Sequence, residues 1–314
     1  MTNIVLKIPK GAARENAPIA VSIYRRCNNG CIYCYNDRGP RKAALGSGIP
    51  ELKTCFKDEE AAIARFKREL LQQRDELSRI GGIFFSFITD PCLPETIAST
   101  MECSRFAMEN GVPVTILTKC ADWVSNTPVD KWSFVLGTRS KLLCVGFTLT
   151  GHDEMEPKAS PNAERIRAMR ALHESGIKTF ASIEPIVDFD ASAEMVEQTL
   201  DCCDLYKIGL MSGVKKDYYS VEKACLFVGK VQGMLAREGS IGKVYWKNSI
   251  RSLVGEPVMF DHDEHTVTMD YRRHISSECA RETAIMTALE ERSPRRNALM
   301  PTRSIFILTA MSIR

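Results

Sequence analysis

The sequence has no long hydrophobic run and no strong excess of charge of either sign. No stretch of about eighteen consecutive apolar residues occurs, so we expect no membrane-spanning helix and no membrane partner. The net charge is +3, because 42 basic residues nearly balance 39 acidic ones. This balance neither requires nor excludes a nucleic-acid partner, which a strongly basic chain would have favoured.

The start of the chain also lacks the apolar core of an export signal, so we expect a cytoplasmic protein. Cysteine, in contrast, is plentiful, with twelve residues. Cysteines without an export signal are typical of a reducing compartment, where thiols stay free or bind metal. We expect most of them to be inert core residues.

Three of these cysteines, Cys27, Cys31 and Cys34, lie close together in the spacing C-x3-C-x2-C. Three thiolates on one tight loop can hold three corners of a cubic [4Fe–4S] cluster and leave the fourth iron without a protein ligand. That open corner indicates that a substrate or cofactor binds there. Gly30 allows the loop to turn sharply, because glycine tolerates backbone angles that other residues avoid.

Zinc is the alternative metal for these thiolates. A zinc site needs a fourth nitrogen or sulfur ligand and usually pairs C-x2-C units. No second C-x2-C unit occurs, and the five histidines begin only at His152, although a distant residue could still complete a zinc tetrahedron. The acidic stretch Asp261–His265 contains two of the histidines and is either a solvated turn or a metal site.

Apolar runs alternate with amphipathic stretches along most of the chain. The predicted strands are Ile19–Tyr24, Ile83–Ile88, Val114–Leu117, Leu142–Leu149, Lys178–Ile183 and Leu205–Leu210. The predicted helices are Lys57–Ile80, Glu95–Asn110, Asp130–Arg139, a helix capped by Ser160 that runs to Ser175, Ser192–Cys202 and Tyr219–Arg237. Successive strand–helix units predict a parallel α/β sheet, either open and doubly wound or closed into a partial barrel.

Polar residues gather where the predicted strands end, as at Thr89, Asp90, Lys119, Thr148 and Glu184. Each alone is explained by a loop or a helix cap. Because chemistry in barrel enzymes lies at the carboxyl ends of the strands, several decorated ends together predict one shared cleft.

The aromatic Tyr33 before the last cysteine gives the form C-x3-C-x-aromatic-C, and residues Ile19–Ser249 resemble the radical S-adenosylmethionine (SAM) superfamily. Within it the chain is most similar to the spore photoproduct lyase-like branch, often labelled DNA repair photolyases. The segments that carry this likeness are Cys31–Tyr35, Phe87–Pro91 followed by Glu95, Thr115–Lys119, Glu164–Ile166 and Ser182–Ile186.

The resemblance implies a partial (β/α)6 TIM-like barrel over residues 19–249, after a lead-in at 1–18 and before a short irregular C-terminal extension at 250–314. It also implies that Cys27, Cys31 and Cys34 hold one [4Fe–4S] cluster whose free iron is chelated by SAM. The implied contacts are Thr89 and Asp90 for the SAM amino group, Lys119 for its carboxylate, Thr148 for the ribose, Tyr33 for the adenine, and Glu184 for cofactor or substrate.

The implied reaction is reductive cleavage of SAM to methionine and a 5′-deoxyadenosyl radical, which removes a hydrogen atom from a substrate. Tyr35 could line the substrate cavity or relay a hydrogen atom. Spore photoproduct lyase carries a hydrogen-returning cysteine shortly before its T-D segment, but here that neighbourhood is Ser86-Phe87-Ile88. Cys92 is a candidate donor if its thiol faces the cavity, and is otherwise structural.

Three hypotheses follow. The leading one is a radical SAM enzyme that acts on a nucleic acid or nucleobase. The second is a radical SAM enzyme that modifies a peptide or small metabolite, and the third is a non-catalytic iron–sulfur or zinc protein. The first two imply a reductant such as flavodoxin or ferredoxin, and the sequence leaves the oligomeric state open.

Overall fold

In the computed structural model, which describes residues 4–126 and 140–268 apart from positions 216, 238, 256, 257 and 262, the central sheet has eight strands. The described residues lie within one unit, Met1–Ala280. None of their helices combines the length and hydropathy needed to span a bilayer. The predicted helix Asp130–Arg139 and most of the C-terminal extension lie outside the described residues.

The strands are β1 (Leu6–Lys7), β2 (Ala20–Val21), β3 (Tyr24–Arg25), β4 (Glu51–Leu52), β5 (Ile83–Phe85), β6 (Val114–Thr118), β7 (Leu143–Thr148), β8 (Lys178–Ile186), β9 (Leu205–Leu210) and β10 (Lys243–Trp246). The order in the main sheet is β1-β2-β5-β6-β7-β8-β9-β10. Within this sheet only β1 is antiparallel to its neighbour. The other seven strands are parallel, and each lies beside the next strand of the same sheet along the chain.

This order decides between the two predicted architectures. A doubly wound sheet reverses its strand order at a switch point, whereas here every crossover adds the next strand on the same side. A parallel sheet that grows in one direction is the arrangement of a barrel wall. The predicted α/β fold of the partial-barrel type is therefore confirmed.

The helices are α1 (Lys42–Leu45), α2 (Glu59–Arg79), α3 (Ile97–Glu109), α4 (Asp122–Ser125), α5 (Asn162–Glu174), α6 (Phe189–Glu197), α7 (Val221–Leu235), α8 (Asn248–Val254) and α9 (Val258–Asp261). The long helix α2 forms as its periodicity predicts, with Phe66, Leu70 and Leu77 buried on one face. Asp58 caps it by accepting a hydrogen bond from the Ala61 N–H.

Two predicted helix starts were wrong. Ser160 does not cap α5, because its hydroxyl instead accepts the main-chain N–H of Ala121 at 2.8 Å. Helix α6 begins earlier than predicted, since Asp188 accepts the Ala191 N–H at 2.8 Å, and it ends before Cys202.

The first predicted strand is split in two. Ala20–Val21 joins the main sheet, whereas Tyr24–Arg25 pairs with Glu51–Leu52 in a separate two-stranded sheet. The chain leaves the barrel wall here to enter the cysteine loop. Arg25 fixes the exit through a 2.7 Å ion pair with Glu51, so the continuous apolar run does not correspond to one strand.

The lead-in is more structured than predicted, because β1 pairs with β2 at the edge of the sheet. The buried carboxylate of Glu69 on α2 accepts the main-chain N–H groups of Ile4, Val5 and Leu6. At the other end, β10 and α8 continue the strand–helix pattern past the predicted sixth strand. The domain boundaries proposed from the sequence stay predictions.

Side chains on the two faces of the sheet belong to different apolar clusters. In β5, Ile83 and Phe85 pack into the large cluster with the helices, whereas Phe84 between them packs with Phe180 and Leu205 in a small cluster. Because successive strand residues point to opposite faces, the small cluster lies on the face of the sheet opposite the large cluster and its helices. The predicted site residues lie at the carboxyl ends of the strands, above this cluster.

Candidate cofactor and active site

Two adjoining cavities open at the carboxyl ends of the strands. The smaller one has a volume of about 130 Å³ and the larger one about 380 Å³. Cys27, Cys31 and Cys34 line the smaller cavity together with Thr89 and Asp90. The residues that line both cavities include Tyr33, Tyr35, Phe87, Lys119 and Thr148. The structure therefore brings the cysteine loop together with the ends of five strands, β5 to β9, as the polar strand ends predict.

The cysteine loop is attached to the segment that follows β7. Gly30 has a φ of +65°, the left-handed region that favours glycine. On either side of Gly30, the Ile32 N–H donates to the Met155 carbonyl at 2.9 Å, and the Lys158 N–H donates to the Asn29 carbonyl at 3.2 Å. These bonds hold the three cysteines above the strand ends.

The thiols are partly enclosed. Burial raises the pKa of Cys27 to about 12, with a further rise from the charge of Asp90. Burial also raises the pKa of Cys31, and the Lys119 ammonium opposes that rise. Thiolates in such a site need a positive partner, which metal coordination provides.

In the described part of the chain, no three His, Cys, Asp or Glu side chains converge on a position that one metal ion could take. The thiolates that hold a cubane each bind a different iron, so this finding does not test the cluster. The donor set does fit a cluster with SAM, because three thiols share a cavity with an acceptor that has no hydrogen-bond partner in the described part of the chain.

That acceptor is Thr89, which is 5% exposed and lies in the loop that follows β5. Its hydroxyl oxygen is buried and has no hydrogen-bond partner among the described residues. The carbonyl oxygens of the Asn29 and Asn36 side chains are also buried without such a partner, and both residues line the same cavity. Orphaned polar atoms are rare in folded proteins, and around a cavity they indicate a polar ligand.

Asp90, predicted beside Thr89 as an amino-group contact, has a different environment. Its carboxylate accepts four hydrogen bonds, from Thr118 Oγ1 at 2.6 Å, Cys92 N at 3.0 Å, Asn29 Nδ2 at 2.8 Å and Lys119 N at 2.7 Å. Two lone pairs on each oxygen are thereby used. Asp90 therefore joins the cysteine loop to the end of β6. Of the two neighbouring side chains, only Thr89 has an oxygen that can still accept a hydrogen bond from a ligand.

Lys119 lines both cavities with its ammonium 5.6 Å from the centre of the Tyr33 ring and 3.9 Å from Glu156 Oε1. Burial would lower the pKa of Lys119, but the Cys31 and Glu156 charges outweigh burial and raise that pKa. The Tyr33 hydroxyl donates to Glu156 as well. The cavity wall thus combines an ammonium with an aromatic face.

Glu156 and Arg165 form a buried ion pair behind this wall, and sequence reasoning missed it. Both side chains are fully buried, and Arg165 Nη1 lies 2.5 Å from Glu156 Oε2. Arg165 also donates to the carbonyls of Thr148 and Ser160 at 2.8 and 2.6 Å. Arg165 falls in a segment that carries the family likeness, whereas no sequence pattern marks Glu156.

The predicted Thr148 and Glu184 lie on neighbouring strands. Thr148 pairs in register with Ser182 on β8, and it lines both cavities. Glu184 lines only the larger cavity, where its carboxylate accepts a hydrogen bond from Lys247. Among the predicted cofactor contacts, Glu184 is thus the one that does not line the cavity that contains the cysteines.

The two predicted catalytic residues differ sharply in their surroundings. Tyr35 lines both cavities, is 47% exposed, and donates its hydroxyl proton to the Phe87 carbonyl. Cys92 is 2% exposed, packs in the large apolar cluster, and is not among the residues that line either cavity. The condition attached to Cys92, a thiol that faces the cavity, is therefore not met.

Solved structures of spore photoproduct lyase, a radical SAM enzyme, are similar to this chain. A cysteine-to-alanine mutant aligns with a TM-score of 0.54 and 14% identity over 76% of this chain and 79% of that one. A complex with dinucleoside spore photoproduct gives 0.55 and 13% over the same shares. A mutant with bound AdoMet and that dinucleoside gives 0.53 and 13% over 77% and 79%.

No family model matches the sequence, and no curated protein sequence does so either. At such low identity the structural likeness shows a shared fold. The resemblance inferred from the cysteine motif is thus confirmed for the fold.

Proposed function

We propose that this protein is a radical SAM enzyme that binds a [4Fe–4S] cluster through Cys27, Cys31 and Cys34. The observation that carries the proposal is the cavity that these cysteines share with the Thr89 hydroxyl, for which the described residues offer no hydrogen-bond partner, at the carboxyl ends of parallel strands. The shared fold with spore photoproduct lyase, one structure of which contains AdoMet, supports it.

When bound, the cluster and SAM supply the electron and the sulfonium from which a 5′-deoxyadenosyl radical is generated. The protein contributes positioning. In this proposal the Thr89 hydroxyl accepts a hydrogen bond from the SAM amino group, and the Lys119 ammonium pairs with the SAM carboxylate. Thr148 contacts the ribose and Tyr33 the adenine, while Asp90 keeps Thr89 and Lys119 in place without contacting SAM itself.

The larger cavity is proposed to hold the substrate, with a nucleic acid or nucleobase as the favoured class. Its lining includes the cations Lys10 and Arg41, which have no ion-pair partner among the described residues. Tyr35 and Phe87 add aromatic surface on which a base can stack. Tyr35 is the proposed hydrogen relay, because Cys92 faces neither cavity.

The cofactor proposal is tested by anaerobic reconstitution with iron and sulfide, followed by dithionite and SAM. We expect a cubane signal in EPR or Mössbauer spectra and formation of 5′-deoxyadenosine, both lost in Cys31→Ala. Cys55→Ala is the matched control, since Cys55 is an exposed free cysteine outside the cavity. Stoichiometric zinc with no SAM cleavage would overturn the proposal in favour of a metal-binding protein.

The substrate proposal is tested by deuterium transfer into 5′-deoxyadenosine from deuterated nucleotides, peptides and metabolites. Binding of a labelled single-stranded oligonucleotide should weaken about tenfold in the double variant Lys10→Ala/Arg41→Ala, since each phosphate contact contributes to affinity. Lys57→Ala is the control, because Lys57 is an exposed cation that lines neither cavity. Deuterium arriving only from a peptide or metabolite would contradict a nucleic-acid substrate.

A further inference from the structure

Lys247 is a buried cation at the mouth of the barrel that no sequence pattern singles out. It follows the last parallel strand, and its main-chain N–H donates to the Ile208 carbonyl at 2.9 Å. Its side chain is only 1% exposed, and its ammonium donates to Glu184 Oε2. A buried ammonium needs a paired anion, so Glu184 and Lys247 form one unit.

Three neighbouring strands build this unit. Strand β8 contains a register shift between Ile183 and Ile186, and Glu184 lies in the shifted part. Such bulges redirect a side chain. Opposite the bulge on β9 is Gly209, where an added Cβ would lie 2.8 Å from Lys247 Cδ and 2.9 Å from Glu184 Oε1. Any larger residue at position 209 would collide with the Glu184–Lys247 pair, so glycine leaves the room that the pair occupies.

One carboxylate oxygen of Glu184 remains available. Oε2 is held by Lys247, whereas no described residue donates a hydrogen bond to Oε1. Glu184 is 29% exposed and lines the larger cavity, two residues beyond Ser182, which pairs with Thr148. An ionised carboxylate only accepts hydrogen bonds, so its natural partner in the cavity is an O–H or N–H group.

We propose that Lys247 is a positioning residue that holds Glu184 so that Oε1 accepts a hydrogen bond from a ribose hydroxyl of SAM. The inference rests on the proposed function. The ribose is favoured because Glu184 continues the strand edge occupied by Thr148 and Ser182, beside the cavity that contains the cysteines. Pairing of an acidic side chain with a ribose hydroxyl is a recurrent way of binding nucleosides.

The test measures S-adenosylhomocysteine binding by calorimetry to the anaerobically reconstituted protein, without reductant. The same titration is run with the 2′-deoxy and 3′-deoxy analogues. We expect Glu184→Gln to weaken S-adenosylhomocysteine binding roughly tenfold to a hundredfold, the range for a hydrogen bond to a charged group. One of the deoxy analogues should bind wild type more weakly by a similar factor and bind Glu184→Gln with no further loss.

Lys247→Met tests the positioning role. In this variant the ratio of the dissociation constants of the deoxy analogue and S-adenosylhomocysteine should fall towards one. Lys247→Arg should restore most of that ratio. General damage to the fold would weaken both ligands equally and leave that ratio unchanged. Lys67→Met is the control, because Lys67 forms a partly exposed ion pair with Glu102 at 2.7 Å on the outer helices and lines neither cavity. Its ratio should match that of wild type.

Gly209→Ala gives an independent perturbation from the opposite strand. It should also lower the ratio, because the added Cβ displaces the pair. Gly229→Ala on α7, where an added Cβ meets no atom within 4 Å, is its control. Unchanged discrimination in Glu184→Gln and Lys247→Met would overturn the inference. Wild type that binds no S-adenosylhomocysteine at all would instead overturn the proposed function on which the inference rests.

Discussion

Asp90→Asn is the substitution for which the structure predicts the clearest effect. Four donors surround the carboxylate: the Thr118 hydroxyl and Cys92 N–H at Oδ1, and the Asn29 amide and Lys119 N–H at Oδ2. Asp90 itself is 8% exposed. One oxygen becomes an NH2 group in the variant, so two of the four donors face another donor.

Partial rearrangement limits the loss. If the new NH2 group takes the Oδ2 position, it can donate a hydrogen bond to Asn29 Oδ1 once the Asn29 amide has flipped. That oxygen has no partner among the described residues. If the NH2 group takes the Oδ1 position instead, it can donate a hydrogen bond to the Thr118 hydroxyl oxygen. In either orientation one main-chain N–H, of Lys119 or of Cys92, loses its acceptor, and the remaining bonds lose the help of the negative charge.

A buried donor without an acceptor costs about 1–3 kcal/mol, and a hydrogen bond to a charged group is stronger than a neutral one. We therefore expect Asp90→Asn to lower the free energy of unfolding by about 2–4 kcal/mol. Urea denaturation of the metal-free protein, followed by circular dichroism, measures this difference. S-adenosylhomocysteine binding should also weaken, because Asp90 positions Thr89 and Lys119.

Asp58→Asn is the matched control. Asp58 caps α2 with one hydrogen bond, and asparagine caps helices about as well as aspartate. Its effect on unfolding should therefore stay within about 0.5 kcal/mol. A loss below about 1 kcal/mol in Asp90→Asn would refute the view that this carboxylate joins the cysteine loop to the strand ends.

Three further predictions concern other polar groups. Glu156→Gln should lower the free energy of unfolding by about 3–5 kcal/mol in the same assay, because it leaves the buried Arg165 without its counterion; a change near zero would contradict this. Burial would lower the pKa of His152, but hydrogen bonds from its ring to two carboxylates outweigh burial and raise that pKa. Protonated His152 with its two carboxylates therefore stabilises the fold fully below about pH 6.5, and this stabilisation is lost as the pH rises through the raised pKa. The difference in thermal midpoint between wild type and His152→Gln should accordingly shrink from about pH 6 to pH 8.5. Glu69→Ala should release the first strand, which its carboxylate holds through three main-chain N–H groups, and limited proteolysis should then cleave near Leu6 faster than in wild type.

The sequence was sufficient for a parallel α/β sheet because the main signals are local, whereas the strand order decided between an open sheet and a partial barrel. Apolar runs and amphipathic periods identify the strands β5 to β9 and the helices α3, α5 and α6 between them, and short crossovers then require parallel neighbours. The first strand was wrong because apolar content alone does not show where a chain leaves a sheet. Its exit depends on the pairing of Tyr24–Arg25 with Glu51–Leu52, which is a tertiary contact.

Parts of the site escaped sequence reasoning for a related reason. Glu156 and Lys247 belong to no motif, and each acquires its role from a contact that forms only in the folded chain. Glu156 meets Arg165 across the start of α5, and Lys247 meets Glu184 across β9. Burial of such charges is what marks them, because a charged side chain is seldom buried without a partner, and burial is not visible in a sequence.

Thr89 and Asp90 show the same limit within a single motif. The sequence pattern selects both residues and assigns both to one ligand group, because neighbouring polar residues at a strand end are equivalent in a linear view. In the structure all four acceptor positions of the Asp90 carboxylate are used internally, whereas the Thr89 hydroxyl is buried beside the cavity and no described residue bonds to it. A group that is already saturated gains nothing from a ligand, and an orphaned one gains a hydrogen bond, which is why the proposed function gives the ligand contact to Thr89 and the positioning role to Asp90.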